Sequence, residues 1–423
     1  MTSYSQRMLD ELDAGQMDEA KKSFALALRH DDDETVHSLA EELYALGFSN
    51  NAKRAYLKLL DKYPDEDLLR TELAEIAISE DQTDEALMYL SNISADSDAY
   101  LEALLVFADL YQSDGLPEAA ELKLMEAYRL APDEPVIQFA LAEFYNGSAK
   151  YSEAIPFYRG LLATGERYFS GVDIVSRIGV AYALIGDNEK ALAYLEQIKA
   201  AEMTSDVRFQ LGMIYAGNEE TQDQAVAEFE KLIDLDASYA AVYNPLGRLY
   251  EQREKLEQAL STYQAGLAVD QFNVKSYENA ARVARRLGDD TQAERLYTTG
   301  LANTSDNLIL VNDYTQLLLD HERFVEMINL LNDYLEDDEI DIDPQWYWDL
   351  ARAYTGIESY EMATKYWHAA MPFFIDNDQF LKSAYFYFRD EGEQILAKEA
   401  LKQYVQLNPE DYEMVALYET EEE

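Results

Sequence analysis

Bulky, small and aromatic residues recur along this chain with a period of about 34 residues, the spacing of a short supersecondary unit repeated in tandem. In one copy, Phe107-Ala108 is followed by Tyr111, Gly115, Ala120, Ala127 and Pro132. Leu141-Ala142, Tyr145, Ala154 and Tyr158 repeat those offsets, and Ile178-Gly179, Tyr182, Gly186, Ala191 and Leu195 repeat them again. Further copies carry Leu211-Gly212 with Tyr215, Ala225 and Phe229, then Leu246-Gly247 with Tyr250, Ala259 and Tyr263. Ala281, Gly288, Ala293 and Tyr297 follow, then Leu350-Ala351, Tyr354, Ala363 and Trp367. The ends obey the pattern too, through Ala20 and Phe24, then Leu39-Ala40, Ala52, Tyr56 and Pro64, and finally Gly392, Ala397, Leu401 and Pro409. Units start near residues 1, 33, 67, 101, 135, 172, 205, 240, 274, 308, 344 and 378.

Each position has a physical reason. The small residue of the Leu-Gly type pair lets two helices approach closely, and the aromatic residue four positions after the leucine lies one turn along on the same face. Gly115, Gly186 and Gly288 fall where a first helix must stop and reverse, and Pro64, Pro132 and Pro409 end second helices. The spacing therefore predicts an antiparallel helix hairpin, repeated about twelve times. In the unit from Leu308, Tyr314-Thr315 and Met327 replace small residues, which predicts looser or bent packing there. Added residues near 165–171 and 337–343 lengthen two connections and make them candidate hinges.

This series resembles the tetratricopeptide repeat family, and the resemblance covers essentially the whole chain. It implies an all-α fold: a right-handed α-solenoid of about twelve helix hairpins over residues 1–409, closed by a capping helix and acidic tail at 410–423. It also implies that the first helix of each pair faces an inner groove and that the protein binds other proteins or peptides there. The acidic, all-repeat character resembles cytosolic tetratricopeptide proteins of low-GC Gram-positive bacteria. An adaptor or scaffold is the leading expectation. The alternatives are a peptide-pheromone receptor or regulatory repeat protein, and a co-chaperone-like tail binder. Receptors of that kind carry an N-terminal output domain, whereas here the repeats begin almost at Met1. The Lys and Asn clamp of chaperone-tail binders is not intact; Asn244 with Arg248 and Glu278 with Arg282 have comparable spacing but other identities.

Composition narrows the partner. Among 423 residues, 83 acids against 34 Lys and Arg give a net charge of −49, which opposes nucleic acid and anionic membrane surfaces. Apolar residues at 48% supply a continuous core. With no cysteine, disulfides, thiol catalysis and thiolate metal sites are excluded. The N-terminal segment has no apolar signal core, and the apolar stretch from Ile174 to Ile185 is interrupted by Arg177 and too short for a membrane span, so a cytoplasmic location is expected.

No constellation for catalysis stands out. His30, His37, His321 and His368 belong to distant units with no ligand-like spacing, and no Gly-rich phosphate loop occurs. The acidic runs Asp31–Glu34 and Glu336–Glu339 lack the Gly-centred loop of an EF-hand and read as solvated turns. Trp346, Trp348 and Trp367 read as packing residues. A non-enzymatic protein without cofactor or metal is expected.

The residue directly after the small one should point into the groove that the resemblance implies. In order, that row is Leu9, Glu41, Glu75, Asp109, Glu143, Val180, Met213, Arg248, Arg282, Gln316, Arg352 and Phe386. Its first half is acidic: Glu41, Glu75, Asp109 and Glu143. Its second half, with neighbours one turn away, is basic and amphipathic: Asn244, Arg248, Lys275, Arg282, Arg285, Asn312, Trp348, Arg352, Lys382, Phe386 and Arg389. Acidic or C-terminal peptide segments are expected against the basic half and basic segments against the acidic half. The bland alternative is that these charges pair across repeats with acids such as Glu251 and Glu278.

Overall fold

A computed structural model describes residues 3–304, 307–335 and 342–422. The acidic run Glu336–Glu339 and most of the 337–343 connection lie outside the described residues. Two compact units, Met1–Gln210 and Leu211–Glu423, divide the chain. The first holds the hairpins α1 (Tyr4–Asp13) with α2 (Met17–His30), α3 (Asp33–Ala45) with α4 (Ser49–Lys62), and α5 (Leu68–Ser79) with α6 (Thr83–Ser91). It continues with α7 (Tyr100–Ser113) and α8 (Pro117–Leu130), α9 (Pro135–Gly147) and α10 (Tyr151–Ala163), and α11 (Ile174–Leu184) and α12 (Asn188–Leu195). The division falls inside α13 (Ser205–Ala216), which α14 (Gln222–Leu235) follows.

The second unit continues with α15 (Tyr243–Gln252) and α16 (Leu256–Val269), α17 (Val274–Arg286) and α18 (Asp290–Asn303), and α19 (Leu308–Asp320) and α20 (Phe324–Leu335). Then come α21 (Pro344–Gly356) and α22 (Tyr360–Ala370), α23 (Asp378–Asp390) and α24 (Gln394–Leu407), and a last helix, α25 (Tyr412–Glu422). Every odd-numbered helix up to α23 begins close to a start expected from the spacing, the largest offsets being Tyr4 against 1 and Tyr243 against 240. The chain is thus an all-α array of helix hairpins, as the repeat implies, and no described helix is long and apolar enough to cross a membrane.

The small residues do what the spacing predicts. A Cβ on Gly179, Gly212 or Gly247 would lie 2.3–2.4 Å from Leu195, Phe229 or Tyr263 of the partner second helix, so only hydrogen fits between them. Ala52, Ala154, Ala259, Ala293 and Ala363 on second helices are completely buried. In the Leu308 unit, Thr315 and Met327 are also fully enclosed, so the larger residues are accommodated without opening the core.

Neighbouring hairpins are pinned by a recurring polar latch. The Tyr145 hydroxyl of α9 donates to Glu121 of α8 (2.9 Å), which also takes Lys150 from the turn after α9 (2.8 Å). Tyr314 of α19 donates to Glu294 of α18 (3.1 Å), which Arg323 grips from the next turn (2.7 Å). Each tyrosine ring packs in the interior while its hydroxyl finds a carboxylate at the edge, so part of the acid excess serves the stacking of repeats.

Eleven of the described reversals between paired helices follow one geometry, and the α13–α14 connection differs. The residue ending the first helix has φ near +70° to +81° at Gly15, Gly47, Gly115, Gly186, Gly288 and Gly392. In five other hairpins the same left-handed place is held by Asp81, Ala149, Glu254, Glu322 and Glu358, at φ from 55° to 59°. The spacing did not distinguish these two groups.

The 165–171 connection forms a small hairpin in which β1 (Tyr168–Phe169) pairs antiparallel with β2 (Val172–Asp173) through Ser170 and Gly171, both at positive φ. Arg167 grips Asp173 with two nitrogens at 3.1 and 2.7 Å, and Phe169 packs on Phe139. At the other end α25 lies on α24 with Met414 buried. Asp411, just before α25, accepts from Lys382 (2.9 Å) and Tyr404 (2.8 Å), and these hydrogen bonds hold its carboxyl at about 2.

A non-glycine residue in the left-handed region carries a penalty of about 1–2 kcal/mol, offset in part by glycine's greater chain entropy. Ala149→Gly should therefore raise stability by about 0.5–1 kcal/mol, and Gly115→Ala should lower it by a similar amount, both read by urea unfolding. Equal effects of the two substitutions in the same direction would contradict this turn geometry.

Candidate functional site

Successive first helices touch one another within each unit: α5 meets α7 in the first, and α15, α17, α19 and α21 form a chain of contacts in the second. Second helices meet the first helix of the next hairpin, as α4 meets α5 and α16 meets α17. Within each unit, first helices that meet bring side chains at the row positions and one turn away close to one another across repeats.

In the second unit the cations of this face are largely matched by carboxylates. Arg282 lies 2.7 Å from Glu251, and Arg286 shares the same carboxylate at 3.1 Å while also reaching Glu254. Lys275 pairs with Glu278 (2.6 Å), Arg285 with Asp320 (2.5 Å) and Lys382 with Asp411 (2.9 Å). Arg352 is 3.9 Å from buried Asp349, and Arg389 pairs with Asp390 while its guanidinium covers the Tyr385 and Phe386 rings. Asn244 is tied to Ser276 (3.0 Å) and takes a bond from Asn279 (3.1 Å); Asn312 bonds Asp343 and the Trp346 indole. Trp348 packs against Phe374 and Phe380. Arg248 is exposed and forms no ion pair with any described residue; it lines a 220 Å³ depression with Met213, Pro245 and Leu249.

The surface expected to be a run of available cations is thus a lattice of charge pairs. Asp349, Asp313 and Asn279 were missed as its members because they sit three positions before the row residue. The row shows one residue per repeat, whereas pairing is decided across the gap between two first helices. Reading the neighbouring positions alongside the row finds them.

The first unit differs. Arg177 of α11 bridges to Glu143 of α9 at 3.0 Å, and Glu143 also accepts the Tyr158 hydroxyl. On α3, α5 and α7, however, Glu41, Glu72, Glu75, Glu102 and Asp109 have no Lys or Arg partner among the described residues. Glu41 has only His37, at 3.7 Å, and Glu102 accepts from Thr71 at 3.3 Å. Glu72 and Glu102 were not singled out by the row, yet they complete this strip.

The electrostatic cost is concentrated on the half-buried Glu75. Burial, then the charges of Glu72, Glu102 and Asp109, push its carboxyl from the ordinary 4.5 to about 7. Burial raises Glu72 as well, with Glu102 and Glu41 adding to the effect and Tyr56 and His37 opposing it. Asp109, on the exposed side of α7, is also raised by loss of surrounding water.

The four histidines stay apart: His321 contacts Asp290 (2.9 Å), His368 contacts Glu393 (2.7 Å), His37 contacts Glu41 and His30 packs on Tyr4. Among the described residues no group of three His, Asp or Glu has metal-holding geometry.

Helix pairs stacked in phase, with small residues at the helix crossings, are the arrangement of tetratricopeptide repeats, and the chain carries such repeats. Residues 112–166 match the YpiA-like tetratricopeptide repeats, residues 344–411 the YpiA-like C-terminal tetratricopeptide repeats, and residues 205–239 a general tetratricopeptide repeat. The chain is similar to the TPR repeat-containing protein YpiA of Bacillus subtilis (strain 168), with 29% identity over 411 residues, covering 95% of this chain and 93% of that protein. Among solved structures, yeast Tom70 aligns over 99% of this chain and 94% of its own at 15% identity and a TM-score of 0.36. MamA aligns over 40% of this chain and 91% of its own at 18% identity and a TM-score of 0.35. Tetratricopeptide proteins as a class mediate protein–protein interaction.

Because the folded state holds Glu75 above its ordinary value, the stability contributed by this group is present at low pH and is lost as pH rises from 4.5 through about 7. Glu75→Gln should therefore raise the melting temperature at pH 8, with a smaller gain at pH 5.5. A gain independent of pH, read by parallel thermal melts, would contradict the charge origin of the penalty.

Proposed function

We propose that this chain is a non-enzymatic adaptor that holds extended segments of partner proteins along the shared face of its first helices. The observation that supports this reading most directly is the strip Glu41, Glu72, Glu75, Glu102 and Asp109. These carboxylates lie on neighbouring helices without internal cations, although the face of the second unit is nearly fully paired. Crowding them costs stability, and a bound partner offsets that cost by supplying what the chain omits. The same negative field disfavours nucleic acid and anionic lipid as partners.

The class of fold supports protein binding, and the rigid, phased helices supply a preorganised surface. Arg248 beside Met213 and Pro245 offers a second contact of opposite charge, suited to a carboxylate next to an apolar side chain.

Crosslinking in the native host followed by mass spectrometry tests the adaptor role. The parent chain should capture a reproducible partner set. Charge reversal of Glu41, Glu75 and Asp109 together should remove some partners, and reversal of Arg248, Arg282 and Arg352 should remove others. Because Arg282 holds Glu251, the second variant must first be shown to fold by circular dichroism. Unchanged capture by both folded variants would overturn the reading.

A further inference from the structure

Four second helices carry a tyrosine four residues after their buried alanine, and each ring is almost completely enclosed: Tyr56, Tyr158, Tyr263 and Tyr297. Their hydroxyls reach the gap between two first helices, which allows the gaps to be compared. Under Tyr158 the gap holds Glu143 and Arg177, with the hydroxyl donating to Glu143 and Arg177 3.0 Å from the same carboxylate. Under Tyr263 it holds Glu251 and Arg282, with the hydroxyl 3.0 Å and the guanidinium 2.7 Å from Glu251. Around Tyr297 the surrounding charges are Asp313 with Arg285 and Arg282. Each of these gaps contains a carboxylate and a cation.

The gap above Tyr56 breaks the rule. Its surrounding charges are Glu72, Glu41 and Glu75. Glu72 lies three residues before the row residue Glu75, and the equivalent place before Val180 is Arg177, so a carboxylate stands where the other gap has its guanidinium. The Tyr56 hydroxyl is fully buried and lies close enough to Glu72 to lower that carboxyl, yet falls short of full hydrogen-bond geometry with any described residue. His37 is near it: its ring meets Tyr56 edge-on and its Nδ1 is 3.7 Å from Glu41.

We infer that this gap is a binding site for a lysine or arginine side chain of a partner segment, which takes the place that Arg177 and Arg282 fill elsewhere in the chain. The inference rests on the adaptor reading and names its chemistry at one site. The incoming cation sits among Glu41, Glu72 and Glu75 at the mouth of the gap over Tyr56, and Glu102 and Asp109 extend the negative strip for a further basic residue. The absence of metal-holding geometry among the described residues favours a long organic cation over a divalent ion.

The test uses the full chain and a short capped peptide of alternating lysine and serine carrying a neutral dye, followed by fluorescence anisotropy. Saturable binding is expected, weakening with salt. Glu72→Arg installs the internal cation and should weaken binding at least about tenfold, which corresponds to about 1.4 kcal/mol, while melting at or above the parent temperature. Glu19→Arg makes the same charge change on the exposed surface of α2 and should shift affinity less than about twofold. If Glu72→Arg does not fold, Glu72→Gln must show the selective loss instead. Equal loss in the Glu72 and Glu19 variants, or no saturable binding, overturns the inference. If the crosslinked partners of the parent chain persist in Glu72→Arg while the peptide fails to bind, the chemistry assigned here is wrong and the adaptor reading stands.

Discussion

The structure depends on one contact: a first helix pressed against its own second helix so closely that only a hydrogen or a methyl fits between them. At Gly247 the Tyr263 ring fills the space a Cβ would need, and at Gly212 the Phe229 ring does the same. A hairpin made this way still has an apolar side to cover, and it covers it on the next hairpin. Everything else follows from repeating that step, including the alignment of first helices and the regular recurrence of their outward positions.

That regularity turns the face of each unit into a grid in which charge is balanced between neighbouring helices. In the second unit, Glu251 is buried and serves two guanidiniums and a phenol, so its desolvation is offset by three partners. Removing any one partner leaves the others misfit, which makes these residues structural first. In the first unit the α9–α11 gap is balanced in the same way, whereas the α3–α5–α7 strip keeps its carboxylates unmatched and lifts Glu75 to about 7. The contrast inside one chain separates a surface whose charges are matched internally from one whose carboxylates are not.

The hairpins were legible in the sequence because they are local: the Leu-Gly type pair, the following aromatic and the buried alanine all act within one repeat, and the helices begin where the spacing places them. The row of positions after each small residue can be written down for the same reason, since each lies within one repeat. Pairing was harder to see, since Arg282 meets Glu251 across 31 residues and Arg177 meets Glu143 across 34. Those partners occupy different turns of adjacent helices, so a single row cannot show them. Glu251 and Glu278 were expected as internal partners, whereas Glu72 was not singled out and Tyr56 figured only as a repeat position. A tyrosine that looks like ordinary core gains meaning only when the gap above its hydroxyl is compared with the other gaps. The left-handed turns at Ala149 and Glu254 were hidden too, because glycine marks that backbone only where it is used.

The unmatched charge on α3, α5 and α7 is best tested by following the side-chain carboxyl carbons of glutamate through a pH titration by NMR, with Glu75 assigned by substitution. Its resonance should move with a midpoint near 7 in the free parent chain and shift toward ordinary values when Glu72→Arg supplies a neighbouring cation. A Glu75 midpoint at the ordinary 4.5 in the parent chain would contradict the claim that this strip lacks its counter-charge.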